Sequence, residues 1–136
     1  MRKGPRFIWF NPSRIIGGGF KETENGYIFE GSIETFRALG EGFIWQRKVA
    51  VNMELNEFVI KDTIKNKPDG MNLRQIWHTC SDIVGFESTG NREDKTGWYS
   101  DYYGVKIENK QIEFITKGYE SRTIACSKQY IFARII

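Results

Sequence analysis

The sequence predicts an all-β protein, an antiparallel β-sandwich of roughly ten to twelve short strands. Three observations predict it. Apolar residues recur with a period of two in the best-ordered stretch, FIWQRKVAVNMELNEFVIKDTI at 43–64, as half-buried strands require. Turn signals recur at short intervals, from Asn25-Gly26 to Lys67-Pro68-Asp69-Gly70 and Asn109-Lys110. No segment sustains a helical period, while aromatic residues reach 15% of the chain, which favours sheets.

The 43–64 stretch reads as two strands joined at Glu54-Leu55-Asn56, a polar hairpin tip. On the first strand Phe43, Trp45, Val49, Val51 and Met53 share a face, opposite Gln46, Lys48 and Asn52. On the second, Phe58, Ile60 and Ile64 lie opposite Lys61 and Lys65. Arg47 and Asp62 interrupt the apolar faces at nearly equal distance from the tip. They are therefore expected to face each other as an inward ion pair, since an unpaired charge there would be costly.

Before this hairpin, RFIWFNP at 6–12 is an aromatic edge-strand candidate, with Pro12 excluding glycosylation of Asn11. Gly17-Gly18-Gly19 lacks the helix and the Lys-Ser/Thr that a phosphate-cradling loop needs, so a bulge or bend in a strand is expected. Asn25-Gly26 marks a hairpin between GGFKETE and YIFEGSIETF, and Ala38 to Gly42 turns into the central pair.

After it, Lys67-Pro68-Asp69-Gly70 is a turn, Pro fixing φ and Gly accepting a positive one. NLRQIWHT at 72–79 follows as a strand, with Leu73 and Trp77 facing opposite to Arg74, Ile76 and His78. Ile83 to Phe86 is a short apolar piece, and ESTGNREDKTG at 87–97 reads as a long polar loop. That loop runs into the densest aromatic cluster, Trp98-Tyr99-Ser100-Asp101-Tyr102-Tyr103. Val105–Glu108 and Gln111–Lys117 flank Asn109-Lys110 as a second hairpin, with Ile112 and Phe114 inward. Tyr130 to Ile136 is a final strand, apolar on both faces.

At 136 residues with 40% hydrophobic and 27% charged content, the chain fits one soluble globular domain. A net charge of +3, spread without a basic stripe, argues against nucleic acid as a partner. No apolar run approaches the ~20 residues of a membrane helix, and Met1-Arg2-Lys3 leads into glycine and proline rather than an apolar signal segment. Cys80 and Cys126 either pair or remain buried thiols, the commoner fate of two lone cysteines.

Catalytic signals are sparse. One histidine, His78, excludes a His-based metal centre within the chain, and no cofactor motif is present. His78 and Cys80 on one strand would stand about 7 Å apart, too far for a nucleophile–base hydrogen bond. A partly buried structural role is the simpler reading of His78. Glu30 and Glu34 share a strand face and read as solvated charge.

The cluster at 98–103 carries the functional reading. Exposed rings stack on the apolar faces of sugars, and nearby cations meet uronate or sulfate groups. Trp98, Tyr99, Tyr102 and Tyr103 are the candidate sugar contacts, joined by Arg74 and His78. The bland alternative has Trp98 and Tyr99 anchoring a loop end into the core.

The segment GWYSDYYGVKIENKQIEF at 97–114 resembles the C-terminal β-domain of the heparinase II/III family of polysaccharide lyases. YIFEGSIETFRALGEGFIWQRKVAVNMELNEFVIKDTI at 27–64 resembles the same domain, with Arg47-Lys48 matching a basic pair and Asp62 a following aspartate. Leu73 to His78 fits the next family strand, so the likeness spans most of 27–117. The resemblance implies a bacterial protein acting on uronic-acid polysaccharides by β-elimination, in a family many of whose members are periplasmic or secreted. It also implies an upstream α/α-toroid catalytic domain as partner.

The family's catalytic residues lie in that toroid and in motifs early in the sandwich, and none can be carried onto this chain. β-Elimination needs a base, an acid and a carboxylate neutraliser, which His78 and dispersed tyrosines do not assemble. The expected role is a non-catalytic sandwich, part of a larger protein, that buttresses the catalytic domain and contacts an acidic polysaccharide. An autonomous carbohydrate-binding module and a purely structural interaction domain are the alternatives.

Overall fold

The computed structural model describes residues 12–79, 82 and 84–127. The described residues form nine antiparallel strands and no helix: β1 (Arg14–Thr23), β2 (Gly26–Glu34), β3 (Ile44–Asn52), β4 (Glu57–Lys65), β5 (Leu73–Thr79), β6 (Val84–Ser88), β7 (Asn91–Tyr99), β8 (Ile107–Thr116) and β9 (Glu120–Ser127). They make two sheets, one of six strands in the order β1-β2-β3-β4-β9-β6, the other of three in the order β5-β8-β7. The sandwich is as expected, with slightly fewer strands. Residues 6–11 of the edge-strand candidate over 6–12 and the final strand at 130–136 lie outside the described residues, as does Cys80, so its pairing with Cys126 is not described. Cys126 itself is buried on β9.

β1 to β4 form a meander whose registers stack side chains into rows along the inner face. One row is Phe20, Phe29, Val49, Ile60 and Thr123. The next is Gly18, Gly31, Arg47, Asp62 and Ser121, followed by Ile15, Ile33, Trp45 and Ile64. The three-stranded sheet packs over the β4-β9-β6 half of this face. Gln75 of β5 donates to Asp62 of β4, and Trp77 and Phe114 meet the Phe86 ring of β6 at 5.3 and 6.1 Å. Ile64, Ile112, Phe114 and Ala125 are buried there.

Arg47 and Asp62 are direct cross-strand partners, as the hairpin arithmetic requires. The glycine run is a strand with a register shift between Ile15 and Gly17, a bulge rather than a phosphate loop. Asn25-Gly26 does lie at a hairpin, but Gly26 already pairs with Thr23, leaving Glu24-Asn25 as the turn. Glycine is required there for another reason: a Cβ would lie 1.9 Å from the Val51 carbonyl oxygen on β3. At Lys67-Pro68-Asp69-Gly70 the turn forms as predicted, with Gly70 at φ 84° and the Met71 N–H donating to the Pro68 carbonyl.

Two expectations about the strands are overturned. The polar stretch 87–97 is not a loop: Glu87 and Ser88 finish β6, and Asn91 onward builds β7, with only Thr89-Gly90 between. β7 is an edge strand exposed along most of its length, so neither face needed an apolar alternation. Asn109-Lys110 is not a hairpin turn either. β8 runs straight through it, because Asn109 is buried and hydrogen-bonds to the neighbouring strand instead of its own backbone.

Candidate functional site

The structure separates the six predicted contacts into two groups. Arg74 and His78 on β5 and Tyr99 on β7 share the outer face of the three-stranded sheet, by register with Ile115, Gln111 and Ile107 of β8. Trp98 projects to the opposite side of β7, and Tyr102 and Tyr103 sit in the 100–106 connection. No single surface gathers all six.

On the outer face the organising group is Glu113 of β8, only 1% exposed. It lies beneath side chains of the same face rather than in the core. Arg74 donates to its Oε2, Lys95 Nζ reaches that oxygen at 2.8 Å, and Gln111 donates to Oε1 at 2.7 Å. These bonds, Arg74 first and Lys95 next, hold the Glu113 carboxyl down at about 2 against the desolvation that opposes them. Arg74 is thereby committed to an internal partner, and Lys95 is shared with Glu93 at 3.3 Å. The cluster is balanced in charge, so it offers a polar surface rather than a concentrated anion site.

His78 is exposed, contrary to the partly buried role expected of it. Its Nδ1 lies 3.3 Å from Asn109 Oδ1, which fixes the ring on the surface beside Gln111. The strand alternation that placed Leu73 and Trp77 inward leaves His78 on the solvent side, and Gly97 on β7 makes room for the pair. A Cβ at Gly97 would meet Asn109 Oδ1 at 2.6 Å and His78 Nδ1 at 2.9 Å.

Trp98 is exposed, but Lys106 Nζ stands 4.1 Å from its ring centroid, a cation–π contact that covers one ring face. Tyr99 is half-buried, whereas Tyr102 and Tyr103 are exposed. The loop between them is held by Ser100 Oγ donating to the Tyr102 carbonyl and by the Val105 N–H donating to the same oxygen. Glu30 and Glu34 are surface ion-pair partners of Lys48 and Arg37.

Arg47 and Asp62 form the expected structural pair in bidentate geometry, Nε to Oδ1 at 2.7 Å and a terminal nitrogen to Oδ2 at 2.9 Å. Trp45 Nε1 and Gln75 Nε2 also donate to Asp62, each at 2.8 Å, and Trp77 Nε1 donates to Gln75 Oε1. Burial, the largest influence, pushes the Asp62 carboxyl up, but the bonds from Arg47, Gln75 and Trp45 together carry it below the usual carboxylate range. This knot ties the two sheets to each other. Among the described residues no cluster of three His, Cys, Asp or Glu side chains could hold a metal ion, and no helix is long and apolar enough to cross a membrane.

A further candidate surface is one the sequence reading did not single out. The inner face of β1, β2 and the adjoining part of β3 extends past the three-stranded sheet, and no described strand covers it. Ile15 is 88% exposed and Phe20 59%, with Phe29, Tyr27 and Phe58 exposed beside them. Phe20 packs on Phe29 and Tyr27 with ring centroids 4.7 and 5.6 Å apart. Between the Phe20–Phe29 ridge and the Ile15–Ile33–Trp45 ridge, Gly18 and Gly31 floor a trough that ends at Arg47. Period-two alternation flags these residues as one face of a strand, but an uncovered face and a buried one carry the same pattern.

No family model matches the chain, and comparisons with curated proteins and with solved structures return no match either. The likeness to the heparinase II/III-like lyases rests on the residues quoted for it.

Proposed function

We propose that the chain is a non-catalytic β-sandwich that docks through its uncovered β1–β3 face onto a catalytic partner domain. In the reading suggested by the sequence resemblance, that partner is the α/α-toroid of a heparinase II/III-like lyase. The observation that carries the docking role is the contiguous apolar face itself. Single exposed apolar residues are ordinary on a soluble protein, but a continuous patch of Ile and Phe side chains marks an interaction surface. Sugars favour this face less than protein does, because Gly18, Gly31, Ile33 and Val49 offer no hydroxyl partners between the rings. The polar outer face around His78 and Tyr99 is left for contact with a polysaccharide, Arg74 and Lys95 being engaged by Glu113.

The test is to mix the chain with a separately produced toroid domain of such a lyase and follow association by analytical ultracentrifugation. Association that a Phe20→Asp/Phe29→Asp variant loses is the expected result, and no association overturns the docking reading. The isolated chain should release no unsaturated uronate from heparan sulfate or alginate.

A second reading, an autonomous carbohydrate-binding module, is favoured by the exposed Tyr102–Tyr103 pair. It expects saturable, salt-sensitive quenching of Trp fluorescence by heparan sulfate or alginate, lost in a Tyr102→Ala/Tyr103→Ala variant.

A further inference from the structure

At one end of the sandwich, the β2–β3 connection and the β4–β5 connection close over an apolar cavity of about 240 Å³. Its wall includes Phe36, Leu39, Phe43, Met71 and Leu73, with Lys67 among them. The loop that forms one side is firmly built. Phe36, Gly40 and Gly42 all take left-handed backbone angles, at φ 53°, 145° and 83°. A bulky residue such as Phe36 adopts such an angle only where its surroundings impose it. The Thr35 N–H donates to the Phe43 carbonyl at 2.9 Å, the Leu39 N–H to the Phe36 carbonyl at 2.8 Å, and Asn66 Nδ2 to the Gly42 carbonyl at 2.8 Å. Yet Leu39 and Met71 remain exposed at the mouth.

Lys67 is the second observation. It is 8% exposed, and its ammonium donates to two backbone carbonyls, those of Met71 and Lys117. An ammonium has three protons to donate, and besides the two carbonyls the Lys67 ammonium faces the Tyr119 ring, whose centroid lies 5.1 Å away. Among the described residues no carboxylate pairs with it, and Asp69 instead accepts from the Tyr119 hydroxyl at 2.7 Å. A buried charge ordinarily finds a counter-ion, and among the described residues this one, in the wall of an apolar cavity, has carbonyls and an aromatic ring but no carboxylate.

We propose that this cavity binds a small amphipathic carboxylate, its hydrocarbon or aromatic body held among Phe36, Leu39 and Met71 and its carboxylate paired with Lys67. A compact apolar pocket with one convergent polar group is the ordinary form of a small-ligand site. A sugar ring finds few partners here, since the Arg74 guanidinium at the rim is already engaged by Glu113. The site is separate from the β1–β3 docking face and does not depend on it.

Octanoate and octanol are suitable probes, alike in their apolar bodies and different in charge. Titration calorimetry is read together with the Met71 methyl resonance. Octanoate should bind saturably and move the Met71 methyl, with octanol about tenfold weaker or more. Lys67→Met should bring octanoate to the affinity of octanol. Leu39→Trp, which fills the mouth from an exposed position, should abolish binding of both in a folded chain, whereas Phe20→Ser/Phe29→Ser should leave both intact. Equal affinity for the two probes, an unmoved Met71 methyl, or octanoate binding that survives Leu39→Trp overturns the proposal.

Discussion

Asp62 and Ser121 are direct partners across β4 and β9, yet substitution should affect them in opposite ways. Asp62 accepts from Arg47, Trp45 and Gln75, so Asp62→Ala strands a guanidinium and two further donors. It should destabilise by about 3–5 kcal/mol, read from urea unfolding. The Ser121 hydroxyl is buried without a hydrogen-bond partner among the described residues. Ser121→Ala should therefore be neutral or stabilising, by up to about 1 kcal/mol. The acid limb of stability follows from the carboxylates. Asp62 and Glu113 both titrate lower in the folded chain than in the unfolded one, so their contribution is full above the unfolded carboxylate range. It is lost as pH falls, for Glu113 between its ordinary value of 4.5 and about 2. Glu113→Gln should flatten part of that slope, measured by urea midpoints across the acid range. The Arg47–Asp62 pair was legible in the sequence because equal spacing from a hairpin tip fixes cross-strand partners. The Gln75 and Trp77 bonds were not, because nothing in a strand's own pattern says which residue of another sheet will face it.

Among the elements, Gly26 of β2 leaves no room for a side chain against β3. A Cβ there collides with backbone, the Val51 carbonyl, which cannot turn aside as a side-chain tip can. Gly26→Ala should therefore cost about 3 kcal/mol. Gly97→Ala, facing the movable ends of Asn109 and His78, should cost less and release the His78 ring, visible as an altered imidazole resonance. The β1–β4 meander was readable because apolar alternation and turn chemistry agreed along its length. β7 and β9 were not, for two different reasons. β7 is a solvated edge whose polar residues imitate a loop. β9 lies in mid-sheet, but its inward residues include Ser121 and Thr123, which carry no apolar signal. Thr123 is satisfied through Ser88 at 2.8 Å, a partnership set by the β6–β9 register alone.

For the molecule as a whole, the six-stranded sheet is wider than the three-stranded sheet laid over it, and the overhang is apolar. Phe20→Ser/Phe29→Ser should leave the unfolding midpoint nearly unchanged, since these rings are exposed, while reducing self-association in concentrated solution, read by light scattering. The sandwich class and the bulge in β1 were legible from the chain. The overhang was not, because coverage depends on how two sheets are placed and not on the periodicity of either. The sheet order also governs how the fold is reached. β1 to β4 join neighbours in sequence, but β4 completes its pairing only with β9, about sixty residues further on. β9 is also the strand through which β6 joins the larger sheet. Such distant pairing makes for slow folding, on the order of milliseconds to seconds. The last described strand thus acts as a latch: a chain emerging from the ribosome can shape the meander early but must wait for β9 to close the structure. Until then the edge of β4 stands open, and this interval is when the protein is most exposed to aggregation.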